Sequence, residues 1–349
     1  MRGASGRVPY TLASGLVDTP LAVPTTSGVW RPANYDGRFR GTVTLRQALE
    51  LSLNVPFARL GVALGPERIR VTARRLGIVS ELRPFPSLAL GASEVTLLEL
   101  TGAYAVLAAS GLRAQPSAII QELGSDGRTL ERFGPPTERV YSPAETYLVT
   151  SALRGAVERG TGRGVRALGY RGPVAAKSGT TNGFRDAWFV GYTPELAVGV
   201  WVGLDDGESI GLSGSRAALP MFTSFLRGAL GAEGRARFRY PEGLERAEVA
   251  VYQGLGNDPE CLGTTELFLN GTVPARRCHE YGRLANAWRD GGRPGLRLLE
   301  WLERRLEQRV RRLLEVPRPG REMAPRGGRH PSDRVVPATR VPGQRRRQP

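Results

Sequence analysis

Lys177-Ser178-Gly179-Thr180-Thr181 closes an apolar run and combines a cation, hydroxyls and a glycine within five residues. Side chains alternate along a strand, so Ser178 and Thr180 project to the same side. A lysine at such an edge supplies positive charge for a carboxylate, or lowers the pKa of a neighbour. Gly179 removes a side chain and lets the backbone approach a ligand. The N–H of Thr180 could then form half of an oxyanion hole. Spacing alone also fits a plain solvated strand end. Ser52-Leu53-Asn54 sets a hydroxyl and an amide two residues apart at an expected bend, where both could face one cavity or merely cap helix ends. Lys177 is the single lysine among 49 basic residues; the other 48 are arginines.

The elements that would position these groups are legible in the apolar spacing. Residues 1–42, rich in Gly, Pro, Ser and Thr, read as loops and short extended pieces. Thr44 to Leu64 reads as two short helices bent at Leu53-Asn54-Val55 because of Pro56. Pro66 to Leu76 predicts another helix, stopped by Gly77. Ser93 to Ala109 predicts a helix capped by Ser93. Gly124-Ser125-Asp126-Gly127 signals a hairpin. Ser142-Pro143-Ala144-Glu145 is a capping box opening a helix to about Val157. Three runs, Val174–Thr181, Ala187–Tyr192 and Leu196–Leu204, are spaced as an antiparallel sheet, and Ser215 to Leu230 predicts a helix lying on it. Helices, a late antiparallel sheet and a covering helix make an α+β domain.

Taken together and in this order, the two clusters resemble motifs of the penicillin-binding proteins. These serine acyltransferases cross-link peptidoglycan and carry S-x-x-K, then S-x-N, then K-T-G or K-S-G. Further stretches resemble the bifunctional, class A branch: Trp30 to Gly37, Leu51 to Pro56, Gly160-Thr161-Gly162, Arg185 to Tyr192, Val200 to Gly203, and the segment from Cys261 to Cys278. The resemblance spans about residues 6–280. It implies a β-lactamase/transpeptidase-like fold, an antiparallel sheet covered by helices with a helical lobe, N-terminally incomplete. It assigns catalytic roles to Ser52, Asn54 and Lys177, and substrate binding to Ser178, Gly179 and Thr180. The substrate implied is the D-Ala-D-Ala end of a peptidoglycan stem peptide, with β-lactams as inhibitors of the family. The S-x-x-K motif is absent: the residue three before the only lysine is Val174. The expectation is therefore a C-terminal transpeptidase domain beginning just after its nucleophile, without the N-terminal glycosyltransferase part, and inactive alone. The alternative is a non-catalytic module that binds stem peptide or a partner.

The expected organisation is a partial transpeptidase domain over 1–230, an extension with the cysteine pair over 231–292, an amphipathic helix over 293–316, and a disordered basic tail over 317–349. The net charge of +16 suggests nucleic acid. Residues 293–349, however, hold 16 arginines against 6 acids, so the tail carries +10 and the body only +6. Nucleic acid is thus an unlikely partner for the body. Cys261 and Cys278 read as a disulfide, or as two buried thiols, and they lack the partners for a structural zinc site. No cofactor or metal is expected; Asp205-Asp206-Gly207-Glu208 reads as a turn. No signal peptide or membrane anchor is visible, and family resemblance implies the outer face of the cytoplasmic membrane.

Overall fold

The computed structural model describes residues 10–26, 28–253 and 260–274, and at 252–253 and 260–262 the backbone alone. Its Gly- and Pro-rich opening segment forms four short strands: β1 (Gly15–Asp18), β2 (Val23–Thr25), β3 (Gly28–Trp30) and β4 (Gly41–Thr44). β1 pairs with β4 and β2 with β3, both antiparallel. Asp18 is fully buried at the end of β1. Asn34 Nδ2 donates to both of its oxygens (2.8 and 3.0 Å) and the Arg40 N–H to one (3.0 Å), which offsets the cost of desolvating a carboxylate.

α1 (Leu45–Glu50) opens on Thr44, whose hydroxyl accepts from Gln47 N–H while the Gln47 side chain accepts from Thr44 N–H. α2 (Asn54–Leu64) carries Pro56 in its first turn, where no intrahelical N–H bond is lost. α3 (Pro66–Arg75) follows, with Glu67 in its first turn and Arg74 and Arg75 in its last, both favourable to the helix dipole. α4 (Leu97–Ala108) is capped by Thr96, not by Ser93 as the sequence suggested. A reciprocal box needs Glu or Gln three residues on, and Glu99 stands three after Thr96, whereas Ser93 has only Thr96 at that place.

β5 (Leu112–Ala114) and β8 (Thr137–Arg139) pair around an exposed inner hairpin of β6 (Gln121–Leu123) and β7 (Thr129–Arg132) at the expected glycine turn. α5 (Pro143–Glu158) starts with the expected box of Ser142 and Glu145. After α6 (Gly164–Ala167) come β9 (Ala175–Thr180), β10 (Asp186–Tyr192) and β11 (Ala197–Gly203), an antiparallel sheet in the order β11-β10-β9. α7 (Ala218–Leu230) covers one face. Phe222, Leu219 and Leu226 pack there on Val174, Ala176, Phe189 and Val198. On the other face Leu153 of α5 and Tyr104 and Leu107 of α4 pack on Ala175 and Tyr192. The alternation of β9 therefore sends 175 and 177 toward the helical lobe and 176, 178 and 180 toward the α7 side.

α7 begins three residues later than the spacing suggested, because Ser215 is engaged elsewhere, its hydroxyl donating to Thr161 O (3.2 Å). β12 (Leu244–Gln253) and β13 (Glu260–Leu269) form a long hairpin, tied to α1 by a two-pronged ion pair of Arg46 with Glu266 (2.5 and 2.6 Å). Residues 204–207 form a turn, closed by Gly207 N–H on Leu204 O (3.0 Å), and among the described residues no group of acids, histidines or cysteines could hold a metal. The Cys261–Cys278 pairing, the 293–316 helix and the 317–349 tail lie outside what is described. No helix among the described residues is long and apolar enough to cross a membrane.

Candidate active site

Ser52 occupies a backbone conformation that its residue type rarely adopts, with φ at +56°. Leu53 N–H bonds back to Ala48 O (2.9 Å) and Ser52 N–H to Leu49 O (3.1 Å), so α1 ends in a Schellman-type turn with Ser52 at the left-handed position. Glycine is the ordinary residue there. A side chain held at such a position is a reasonable marker of function rather than of helix termination. Here the turn aims the Ser52 hydroxyl at the sheet.

Lys177 Nζ donates to Ser52 Oγ at 2.7 Å and to Ser178 O at 2.8 Å. Burial of the amine pushes its pKa from the ordinary 10.5 down to about 8. β9 is an edge strand, and Thr181 N–H bonds to Asp186 O (3.1 Å). In an antiparallel ladder that parity turns the N–H and C=O groups of 178 and 180 away from β10 and toward the open edge. Thr180 N–H therefore faces the same edge as the Lys177–Ser52 pair.

The hydroxyls of β9 have defined partners. Ser178 Oγ donates to Thr161 Oγ1 (3.0 Å), and Thr180 Oγ1 accepts from Gly214 N–H (3.0 Å). Gly179 serves packing more directly than ligand approach: a Cβ there would stand 3.2 Å from Trp188 Cβ. Asn54 opens α2, and its Nδ2 donates to Ala33 O (2.8 Å), leaving its carbonyl oxygen as the freer end. Ser52, Lys177 and Ser178 are thus joined by hydrogen bonds, whereas Asn54 is anchored to the 33–34 loop. Asp186 accepts from Trp201 Nε1 (2.9 Å) and Thr181 Oγ1 (3.0 Å), which braces the β9–β10 turn.

Two groups of residues beside the site carried no role in the sequence reading. Thr161, within Gly160-Thr161-Gly162, meets Ser178 through its hydroxyl and Glu50 O through its N–H (3.1 Å). Gly214-Ser215 clamps both Thr180 and Thr161. The available signal was a hydroxyl between two glycines, a pattern that places backbone close to backbone: a Cβ at Gly160 would lie 1.9 Å from Glu50 O. Edge amides, a desolvated amine bonded to a hydroxyl and two further hydroxyls can together bind a carboxylate and move a proton.

A family model described as the penicillin binding protein transpeptidase domain matches residues 12–226. Penicillin-binding protein 1A of Aquifex aeolicus is 36% identical over 263 residues, covering 75% of this chain and 36% of that protein. Penicillin-binding protein 1B of Vibrio cholerae is 35% identical over 238 residues, 68% of this chain and 29% of that one. The chain thus spans about a third of the length of these relatives. Penicillin-binding protein 1A from Haemophilus influenzae shares the fold, with a TM-score of 0.70 at 24% identity over 77% of this chain and 46% of the other. PonA1 from Mycobacterium tuberculosis, solved in complex with penicillin V, gives a TM-score of 0.57 at 27% identity, covering 66% and 67% of the two chains.

Proposed function

Because this chain belongs to the penicillin-binding protein transpeptidase domain family, we propose that its described residues form the substrate-binding side of a D,D-transpeptidase site. The substrate is the D-Ala-D-Ala end of a peptidoglycan stem peptide. The observation that carries this reading is the 2.7 Å contact of Lys177 Nζ with Ser52 Oγ beside the open edge of β9.

Lys177 attracts the terminal carboxylate, which lies against the hydroxyls of Ser178 and Thr180, with Gly179 keeping the strand close to Trp188. Asn54, through its free carbonyl oxygen, receives a substrate N–H. Thr180 N–H, on the open edge, stabilises the oxyanion that forms when the penultimate D-Ala carbonyl is attacked. Ser52, in contact with the depressed amine of Lys177, relays the proton to the departing D-Ala and takes it from the incoming amine. The attacking hydroxyl belongs, in this family, to a Ser-x-x-Lys motif, and residues 1–349 contain none. The 349-residue chain therefore binds but does not acylate. The reaction is carried out with a segment bearing that motif, in company with a glycosyltransferase part, on the outer face of the cytoplasmic membrane, and is blocked by β-lactams. The cysteines Cys261 and Cys278 fit that oxidising location as a disulfide.

Incubation with a fluorescent penicillin tests the proposal. The 349-residue chain should show no covalent label. Its fusion to a Ser-x-x-Lys segment from a class A relative should label, and Lys177→Ala in the fusion should reduce labelling at least tenfold. Labelling of the chain alone, or an unlabelled fusion, would overturn it. The lack of the motif beside an intact Lys177–Ser52 pair also favours a second reading, a non-catalytic wall-peptide binder. An unlabelled fusion that still binds a D-Ala-D-Ala peptide reversibly would select that reading.

A further inference from the structure

Glu50 stands where local electrostatics disfavour a carboxylate. It is the last residue of α1, beside the carbonyl ends of that helix. Its partner one turn back, Arg46, precedes it in the weaker of the two i,i+4 orders. Glu50 is also only 5% exposed, which adds a desolvation cost. The folding of α1 itself calls for no acid here, so the reason lies in what the side chain holds.

What it holds is the end of a second helix. Its carboxylate accepts from Arg159 Nη2 (2.5 Å) and Nε (3.1 Å), and from Arg46 Nη1 (3.5 Å). Arg159 is the residue that closes α5. Each partner of this ion pair stands two positions before a residue of the site, Glu50 before Ser52 and Arg159 before Thr161. A backbone bond runs beside it, Thr161 N–H donating to Glu50 O (3.1 Å). A Cβ at Gly155 would overlap the Glu50 carboxylate and one at Gly160 its carbonyl, so the end of α5 is shaped to admit this residue. From Thr161 the contacts close into a ring. Thr161 Oγ1 meets Ser178 Oγ (3.0 Å), Ser178 follows Lys177 on β9, and Lys177 Nζ returns to Ser52 Oγ (2.7 Å). Ser52 is the strained link, at φ +56°. Such a conformation persists only where the surroundings over-determine it, and a helix of six residues cannot do so by itself.

We infer that Glu50, through its ion pair with Arg159, is a positioning residue that holds the Ser52 turn against Lys177. It touches no substrate and acts through Ser52. The inference rests on the reading of Ser52 and Lys177 as the proton-moving pair given above. Two effects of losing the carboxylate have opposite signs at Lys177. Removing a negative charge favours the neutral amine and by itself lowers its titration midpoint. Releasing the Ser52 turn lets water reach the amine and raises the midpoint from about 8 toward 10.5.

The single lysine makes the test direct. In the 349-residue chain grown with 13C-labelled lysine, one Cε signal reports Lys177. Glu50→Gln should raise its midpoint to about 9 or above. It should also speed amide exchange at Ser52 and Leu53, whose N–H groups bond back into α1, about tenfold or more relative to Phe189 in the buried core. Arg159→Gln should speed the same two amides, and Arg159→Lys should keep them within about threefold of wild type. The double variant should do no more than the larger single one, because both remove one ion pair. A midpoint unchanged or lowered in Glu50→Gln, or exchange at 52–53 that merely follows Phe189, would overturn the inference and leave the Lys177–Ser52 pair standing. Where Glu50→Gln does not fold, exchange in Arg159→Gln against Arg159→Lys decides. A wild-type midpoint near 10.5 would remove the buried contact itself, and this inference falls with that reading.

Discussion

Lys177 Nζ lies 2.7 Å from Ser52 Oγ, although 125 residues separate the two along the chain. The contact joins the end of a helix to the edge of a sheet, and the proton relay proposed for the site depends on it.

The amine of Lys177 should titrate near pH 8, well below an ordinary lysine. Its one 13Cε resonance measures this directly. The folded pKa is below the unfolded value of 10.5, so the cost of burying the charge is fully present below about pH 8. Between 8 and 10.5 the unfolded chain binds more protons, and stability rises with pH. Urea unfolding of wild type against Lys177→Met should show their difference narrowing across that window. A midpoint near 10.5, or a pH-independent difference, contradicts the burial of the amine.

Glu99 should give an acid-sensitive contribution of the opposite sign. The Ser80 hydroxyl, with the backbone N–H groups of Thr96, Val79 and Ser80, holds its carboxyl at about 2 against an ordinary 4.5. The stabilisation is complete above pH 4.5 and is lost as pH falls toward 2. Glu99→Gln should therefore lose most relative to wild type at neutral pH and converge with it in acid. Equal differences at pH 6 and pH 2.5 would reject this.

Asn34→Ala should lower stability by about 2–4 kcal/mol, because it leaves the buried Asp18 carboxylate with fewer donors. The Asn34 side chain also accepts from Val55 N–H (3.2 Å), and Asn54 beside it donates to Ala33 O. Chemical shifts of the amides of 52–55 should move with the mutation. Unchanged shifts there, with unchanged urea midpoints, would show that the 33–34 loop does not support Asn54.

Gly160→Ala should destabilise by about 2–4 kcal/mol, since the new methyl would collide with the Glu50 carbonyl and neither backbone can yield freely. Glu50→Ala should cost about 2–3 kcal/mol. That is less than a wholly buried pair, as the Arg159 side chain is 62% exposed. Stabilities within 0.5 kcal/mol of wild type for both, by urea unfolding, would show that the contact of Thr161 N–H with Glu50 O does not tie α1 to the 160–162 loop.

Local chemistry made much of this protein legible in its sequence. Capping boxes at Thr44 and Ser142, the bend forced near Pro56, the three β-runs and the order of the Ser52 and Lys177 clusters all depend on residues within a few positions of one another. The α+β class followed from the elements, and the family from the resemblance carried by the Ser52 and Lys177 clusters. Thr96 in place of Ser93 was a local matter too, decided by where Glu99 stood. What the chain order could not express was proximity across long loops. The bond of Ser52 to Lys177, that of Ser178 to Thr161, and that of Thr161 N–H to Glu50 O join residues 17 to 125 positions apart. Those distances are set when α5 and α7 bury the two faces of the sheet. A hydroxyl in a strand advertises that it can bond; only packing decides which partner takes its proton.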